Sequence, residues 1–289
     1  MATNLTIAQG LMVPEIWSKL ILRNFDDYGV MADVVNKNYE GEIRNGGDTV
    51  HITQLGDITI NTHDEETPIK YQKVDGKESV LLIDQENDWG FTISTKEMRQ
   101  ANVKDLQGKY SERARKAIVN HKDKYIFNLG YTGVASGNQL GTVAANADNI
   151  YDTCLDLFQA LADSNAINSD GLAEDGKRPF LVVPPAVVKL MKKAPEAIHA
   201  TVEGDKTVRK GALFNFAGFD IKQTTLVKNE EGYKILAGTK EAITYADQII
   251  DTRALEDKDY FGIFVSGLYV YGAKVIQPTA LASANLTIG

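Results

Sequence analysis

Cysteine and long apolar runs are the first things this 289-residue chain lacks. Its single cysteine, Cys154, cannot form a disulfide within the chain, so nothing in the sequence points to an oxidising compartment. No apolar run approaches the roughly 20 residues needed to span a bilayer. The opening residues, Met-Ala-Thr-Asn-Leu-Thr, lack the basic and apolar regions of a signal peptide. We therefore expect a protein made and used in a reducing cytoplasm, with no membrane partner.

The residue patterns of catalytic, cofactor and metal sites are also missing. The four histidines, at positions 51, 63, 121 and 199, are far apart, and none lies at a metal-ligand spacing. Cys154 lies on a helical apolar stripe, where a free cysteine behaves as a small buried hydrophobe. The glycines between Gly133 and Gly141 lack the Gly-Lys-Ser/Thr ending of a phosphate-binding loop. The sequence thus predicts no catalytic residue, no cofactor and no metal site, and favours a non-enzymatic protein with a connector at 133–141.

Charge is unevenly distributed along the chain. The formal net charge of −8 argues against a sequence-specific DNA-binding protein. Between Thr95 and Lys124, however, nine basic residues outnumber four acidic ones. This segment is either a solvated helix face with internal ion pairs, or a surface that meets phosphates or an acidic neighbour. We favour the acidic neighbour.

A long β-hairpin is predicted near the N-terminus. Residues 49–60 alternate between apolar and polar, the segment 61–68 is polar and turn-rich, and a second extended stretch includes Tyr71 and residues 80–83. Such a hairpin would be about 40 Å long at roughly 3.3 Å per residue. Since an isolated two-stranded ribbon is marginally stable, we expect this hairpin to need a partner surface. The acidic cluster at 64–66 is either solvated, a cation site or a contact for a basic patch on another subunit.

The remaining patterns predict an α+β protein. A short amphipathic helix begins at Pro14 and carries Trp17; it either covers its own core or docks on another surface. The strongest helix lies within 94–130, capped by Ser94 or Thr95 and continuous over 103–129, with a possible kink at Gly108. Further elements are expected, in order: a helix at 148–166, a strand at 180–183, a helix from 184–185 to 191, and strands at 219–225, 233–237, 243–246 and 261–276.

Two segments carry a resemblance to a known family. The first is Pro14-Glu-Ile-Trp-Ser-Lys, followed by Asn38-Tyr-Glu-Gly-Glu-Ile-Arg-Asn-Gly-Gly-Asp-Thr-Val-His-Ile52. The second is the closing run from Tyr260-Phe-Gly-Ile-Phe-Val-Ser-Gly-Leu-Tyr-Val-Tyr-Gly to Gln-Pro-Thr-Ala-Leu281. Together they resemble the major capsid proteins of tailed bacteriophages, which share the Hong Kong 97 type fold. The resemblance implies an N-terminal arm at 1–37, an extended loop at 46–86, a peripheral domain at 38–45, 87–134 and 239–289 with a long spine helix, and an axial domain at 135–238.

The resemblance implies self-assembly into an icosahedral shell around double-stranded DNA. The protein's partners would be its own hexamers and pentamers, separate scaffolding and portal proteins, and packaged DNA contacted without sequence specificity. The location would be the virion capsid, assembled in the cytoplasm of a bacterial host. The implied subunit-interface residues are Trp17, Ile58, Ile60, Asp64, Glu65, Glu66, Ile69 and Tyr71. The implied inner-face or intersubunit basic residues are Lys109, Arg113, Arg115 and Lys116.

Three other functions compete with the capsid interpretation. An encapsulin, the shell protein of a bacterial nanocompartment, has the same fold and packages proteins. An enzyme would need an unrecognised site in the middle segment, 135–238. A tail or connector protein would form tubes or rings and not closed shells.

Overall fold

The computed structural model describes residues 29–38, 49–54, 60, 71–72, 77–94, 106–195, 215–229, 232–256 and 261–288. These residues form an α+β protein, as predicted. The predicted arm helix with Trp17 and the far end of the predicted hairpin lie outside the described residues.

The long helix packs on a three-stranded antiparallel sheet. Its strands are β3 (Gln85–Ser94), β10 (Ile243–Glu256) and β11 (Gly262–Val275), in the order β10-β11-β3. The alternation of outward polar residues with Trp89, Phe91 and Ile93 in β3 gives this strand one face for the core. Strand β3 was not predicted, and β10 is ten residues longer than the predicted 243–246.

The long helix α1 (Leu106–Thr132) confirms the strongest sequence prediction and runs unbroken through Gly108. Its inner side buries Ile118, Ile126 and Phe127 in the core. The predicted cap at Ser94 is wrong, because Ser94 pairs with Gly262 as the last residue of β3.

The middle of the chain and residues 281–288 form a second, larger sheet. Its strands are β4 (Gln139–Ala145), β5 (Phe180–Val183), β6 (Asn215–Phe216), β7 (Phe219–Gln223), β8 (Lys228–Asn229), β9 (Gly232–Gly238) and β12 (Leu281–Ile288). The strand order is β4-β12-β9-β5-β7-β6, and β8 pairs with β9. Two helices pack in this unit, α2 (Ile150–Asp163) and α3 (Pro185–Lys193). Strand β5 is buried along its whole length, which explains its unbroken apolar sequence.

Two features of this sheet correct the sequence interpretation. Strand β4 begins at Gln139, inside the stretch 133–141 where a connector was expected. Strand β12 pairs with β4 on one side and β9 on the other, so 281–288 adds to the sheet of the middle segment and not to the sheet of 239–276. Its buried start, Leu-Ala-Ser-Ala, has three small side chains after Leu281 and shows little apolar periodicity.

The base of the predicted hairpin is present. Strands β1 (Thr49–Gln54) and β2 (Lys77–Leu82) are antiparallel, with Thr49 opposite Leu82 and Gln54 opposite Lys77. Ile52, Leu81 and Ile83 are buried against Ala246 and Val270 of the three-stranded sheet. The base is therefore fixed on its own subunit.

Candidate assembly surface

The segment that begins at Gly29 is held by a carboxylate of α1. The backbone N–H of Val30 donates to Asp123 Oδ2 at 2.8 Å, and that of Met31 donates to Asp123 Oδ1 at 3.3 Å. The short 3₁₀ helix Met31–Asp33 has no side-chain cap of its own, so Asp123 satisfies its first N–H groups from across the fold. Asp123 is only 4% exposed, and burial raises its pKa to about 6.

A second set of contacts ties the same segment to β10. The Asn36 N–H donates to the Ile243 carbonyl at 2.8 Å, and the Tyr245 N–H donates back to the Asn36 carbonyl at 3.0 Å. The Asn36 side-chain amide donates to Glu241 at 3.0 Å. Val34 and Val35 are buried in the core beside these bonds. Residues 29–36 are thus part of the subunit's core, and any arm N-terminal to them begins from a fixed root.

A buried ion pair joins α1 to β10. The Lys122 ammonium pairs with Asp247 Oδ2, and the Tyr245 hydroxyl donates to the same oxygen at 2.8 Å. Burial lowers the pKa of Lys122, while the charge and hydrogen bond of Asp247 oppose that shift. Because removing one partner would leave a buried charge, this pair fixes the position of the helix on the sheet.

A cluster of tyrosines lies against His121, the one histidine among the described side chains. The hydroxyls of Tyr269 and Tyr271 lie 3.3 and 3.2 Å from His121 Nδ1, and the Tyr125 ring meets Tyr271 edge-on at 5.2 Å. Burial raises the pKa of Tyr271 to about 12 and raises that of Tyr269 as well, so both hydroxyls stay protonated near neutral pH. An open groove of about 390 Å³ beside Trp89 borders this cluster, outside the middle segment where an enzyme site was considered.

Two of the predicted hairpin interface residues lie among the described side chains. Ile60 is 94% exposed and Tyr71 is 93% exposed, so neither apolar side chain is covered by its own subunit. The other predicted interface residues lie outside the described side chains: Trp17, Ile58, Asp64, Glu65, Glu66 and Ile69. Their role stays a prediction.

The predicted basic residues of α1 separate into two groups. Lys109, Arg113 and Lys116 are exposed, whereas Arg115 is only 5% exposed and points into the subunit. Lys124 is also exposed on α1 and was not among the predicted set. We call Lys109, Arg113, Lys116 and Lys124 the basic stripe.

Sequence reasoning did not find three exposed apolar side chains on or next to β10 and β11. Ile250 is 45% exposed, Leu255 60% and Phe261 92%. Ile250 and Leu255 stand near Asp251 and Arg253 in the sequence, and Phe261 opens an apolar run that predicts a strand, so the sequence pattern did not mark these side chains as exposed.

The groups that could do covalent or metal chemistry are few in the part of the chain that the structure describes. Cys154 is fully buried, and burial raises the pKa of its thiol to about 12, which leaves it protonated near neutral pH. Within the described ranges, no group of three or more His, Cys, Asp or Glu side chains is placed to hold a metal ion. Among the same residues, no helix combines the length and the hydropathy needed to cross a membrane.

Comparison with solved structures identifies the fold. A chain of Mycobacterium phage Che8 superposes with a TM-score of 0.71 at 23% identity, covering 89% of this chain and 91% of that chain. A chain from the capsid structure of Cyanophage P-SCSP1u gives a TM-score of 0.62 at 14% identity, over 86% and 85% of the two chains. A virus-like particle from Pyrococcus furiosus gives 0.57 at 13% identity, over 94% and 98%. No family model and no curated protein sequence matches the chain.

These likenesses span nearly the full length of both chains. They confirm the predicted Hong Kong 97 type capsid fold, the fold of tailed-phage major capsid proteins.

Proposed function

We propose that this protein is the major capsid protein of a tailed bacteriophage and assembles into an icosahedral shell around double-stranded DNA. The observation that carries the proposal is the capsid fold itself, matched over 89% of this chain. The role is structural and not enzymatic. Each subunit would make several modest contacts within hexamers and pentamers, and together these contacts favour closure of the shell.

Uncovered apolar side chains support self-association. Ile60 and Tyr71 are almost fully exposed, and both lie in the sequence between β1 and β2, the packed base of the predicted hairpin. Large exposed apolar side chains at one projection are typical of an interaction site. We propose that a neighbouring subunit covers them, together with Ile58, Ile69 and the acidic residues 64–66.

The packing of residues 29–36 into the core supports a division of the chain into regions with different roles. We propose that 1–37 is an arm reaching a neighbour through Trp17, that 46–86 is the extended loop, and that 38–45, 87–134 and 239–280 form the peripheral domain. The axial domain would comprise 135–238 with β12 added, because β12 belongs to that sheet. Separate scaffolding and portal proteins, and assembly in the host cytoplasm, complete the proposal.

A second candidate is an encapsulin-type shell, which the likeness to the Pyrococcus furiosus virus-like particle favours. It shares the fold and differs in cargo. Nucleic acid inside the purified particles distinguishes the first candidate from the second, in which the cargo is protein.

Electron microscopy of the purified protein, alone and with the neighbouring phage gene products, tests the proposal. We expect closed polyhedral shells tens of nanometres across. A Tyr71→Ser variant should assemble poorly, yet melt at the unaltered temperature as a free subunit, because this side chain is 93% exposed. Only monomers or small oligomers in every condition, or tubes and rings, would contradict the capsid assignment.

A further inference from the structure

Lys122 and Asp247 bring an amine and a carboxyl group into contact inside the subunit. Lys122 lies on α1 and Asp247 on β10, and their side chains are 7% and 18% exposed. The Lys122 Nζ contacts Asp247 Oδ2, so the carboxyl carbon is one bond away from the atom that the amine touches. The two residues are 125 positions apart in the chain, so the folded subunit is what brings these groups together.

A tyrosine completes the surroundings of this contact. The Lys122 Nζ lies over the Tyr245 ring, 5.2 Å from its centre, and the Tyr245 hydroxyl donates to Asp247 Oδ2 at 2.8 Å. Tyr245 is itself fully buried, and its ring packs against that of Tyr271. The amine and the carboxyl group are therefore shielded from most of the solvent, while a proton donor stands on the carboxyl oxygen.

Burial makes the charged form of this pair costly. Moving an ammonium and a carboxylate out of water carries a desolvation penalty that their mutual attraction repays only in part. Burial also lowers the pKa of Lys122, against the opposing charge and hydrogen bond of Asp247, which makes the neutral and nucleophilic amine more accessible. A single neutral amide in place of the two charges would remove the penalty. Well-oriented groups held in contact react with effective concentrations of about 10⁵–10⁸ M.

We propose that Lys122 and Asp247 condense within one subunit to an amide bond between Nζ and Cγ. The Nζ lone pair forms the C–N bond, and one C–O bond of the carboxyl group breaks. The departing oxygen leaves as water with the two protons that the ammonium gives up. The Tyr245 hydroxyl acts as general acid, giving its proton to Oδ2 and taking one back from the amine. The step needs no co-reactant, and it does not depend on the proposed capsid function.

Condensation would follow folding, because the two groups meet only in the folded subunit. Freshly folded subunits hold the ion pair, and aged subunits hold the amide. The new bond would tie the long helix covalently to the three-stranded sheet. It would also close a loop of the chain between residues 122 and 247 that stays closed after denaturation.

Intact-mass spectrometry of the full chain, followed over days at neutral pH, tests the inference. We expect the mass to fall by one water per chain, and peptide mapping to find Lys122 joined to Asp247. In denaturing electrophoresis the aged chain should migrate ahead of the fresh chain, since a closed loop makes the unfolded chain more compact. Lys122→Arg should abolish the loss of water, because a guanidinium keeps its positive charge beside Asp247 and is not deprotonated in proteins.

Two further variants separate this chemistry from ion pairing in general. Tyr245→Phe keeps the ring and removes the hydroxyl, so the loss of water should slow by about 10²-fold or more. The matched control is Lys222→Arg. Lys222 pairs with Asp33 at 3.0 Å, but these side chains are open to solvent, so the control should lose water as fast as the unaltered chain.

Three outcomes would overturn the inference. The first is an unchanged mass of the unaltered chain after ageing. The second is an equal loss of water in Lys122→Arg, which would place the reaction elsewhere, for example in a succinimide at Asp170-Gly171. The third is a peptide in which Lys122 is joined to a residue of a second chain, which would make the reaction intermolecular. An undiminished rate in Tyr245→Phe would overturn the role of its hydroxyl as the acid.

Discussion

Replacing Gly272 by alanine should loosen the packing of the β1–β2 pair on β11. A Cβ at this position of β11 would lie 2.3 Å from the backbone oxygen of Leu82 and 3.1 Å from the Cα of Ile83. Because the first contact is with backbone, no side-chain rotation can relieve it, and β2 must move away by about 1 Å. Over-packing of this kind lowers the free energy of unfolding by about 1–3 kcal/mol. Alanine also restricts the unfolded chain more than glycine does, which raises the free energy of unfolding by about 0.4–1 kcal/mol.

The expected net loss is about 1–2 kcal/mol in the free energy of unfolding. It can be measured by urea denaturation of the unassembled subunit, and the amides of β2 should exchange with deuterium faster than those of β5. The matched control is Gly90→Ala in β3 of the same sheet, where the nearest atoms to a Cβ lie at 3.6 and 3.7 Å. If Gly272→Ala is as stable as Gly90→Ala, the close packing of the hairpin base on β11 is wrong.

Three further predictions concern α1 and the residues that precede Gly29. The folded pKa of Asp123, about 6, lies above its ordinary value of 3.8, so the native state keeps this proton where the unfolded chain has lost it. The contribution of Asp123 to the free energy of unfolding should therefore fall by about 2 kcal/mol between pH 4 and 6, and Asp123→Asn should flatten this profile; an unchanged profile would contradict the buried carboxylate. Asp247→Ala should destabilise the subunit by about 3–5 kcal/mol, because it leaves the buried Lys122 ammonium without its partner. In thermal melts, the double variant with Lys122→Met should regain most of the lost stability, whereas stability losses that simply add would argue against the ion pair. Trp17→Ala should reduce shell yield without lowering the melting temperature of free subunits, and an equal loss in both would place Trp17 in the core.

Local patterns in the sequence predicted the elements whose own residues determine them. Helix α1 follows from apolar residues at intervals of three and four, and β5 from four consecutive apolar residues. The hairpin base follows from alternation in 49–54. In each case the buried face can be read from neighbours in the chain.

Elements stabilised by distant partners were not predictable in this way. The second half of β10 carries Asp251, Arg253 and Glu256 and looks like a polar loop, but pairing with β11 satisfies its backbone. Strand β12 has small side chains with little periodicity, and its place between β4 and β9 supplies the burial.

The residues of the candidate site were likewise predictable from the sequence only in part. The basic residues of α1 were found from composition, but only the folded helix separates exposed Arg113 from buried Arg115. The contact of Asp123 with Val30 joins residues 93 positions apart, so no spacing rule could have revealed it.

The position of β12 has a consequence for when the subunit can form. Strand β12 lies inside the seven-stranded sheet, between β4 and β9, yet the ribosome makes it after every other strand of that sheet. While it is missing, β4 has no partner in the sheet and β9 has one open edge. The seven-stranded sheet can therefore close only once residues 281–288 are available, so the order in which the sheet forms differs from the order of its strands along the chain.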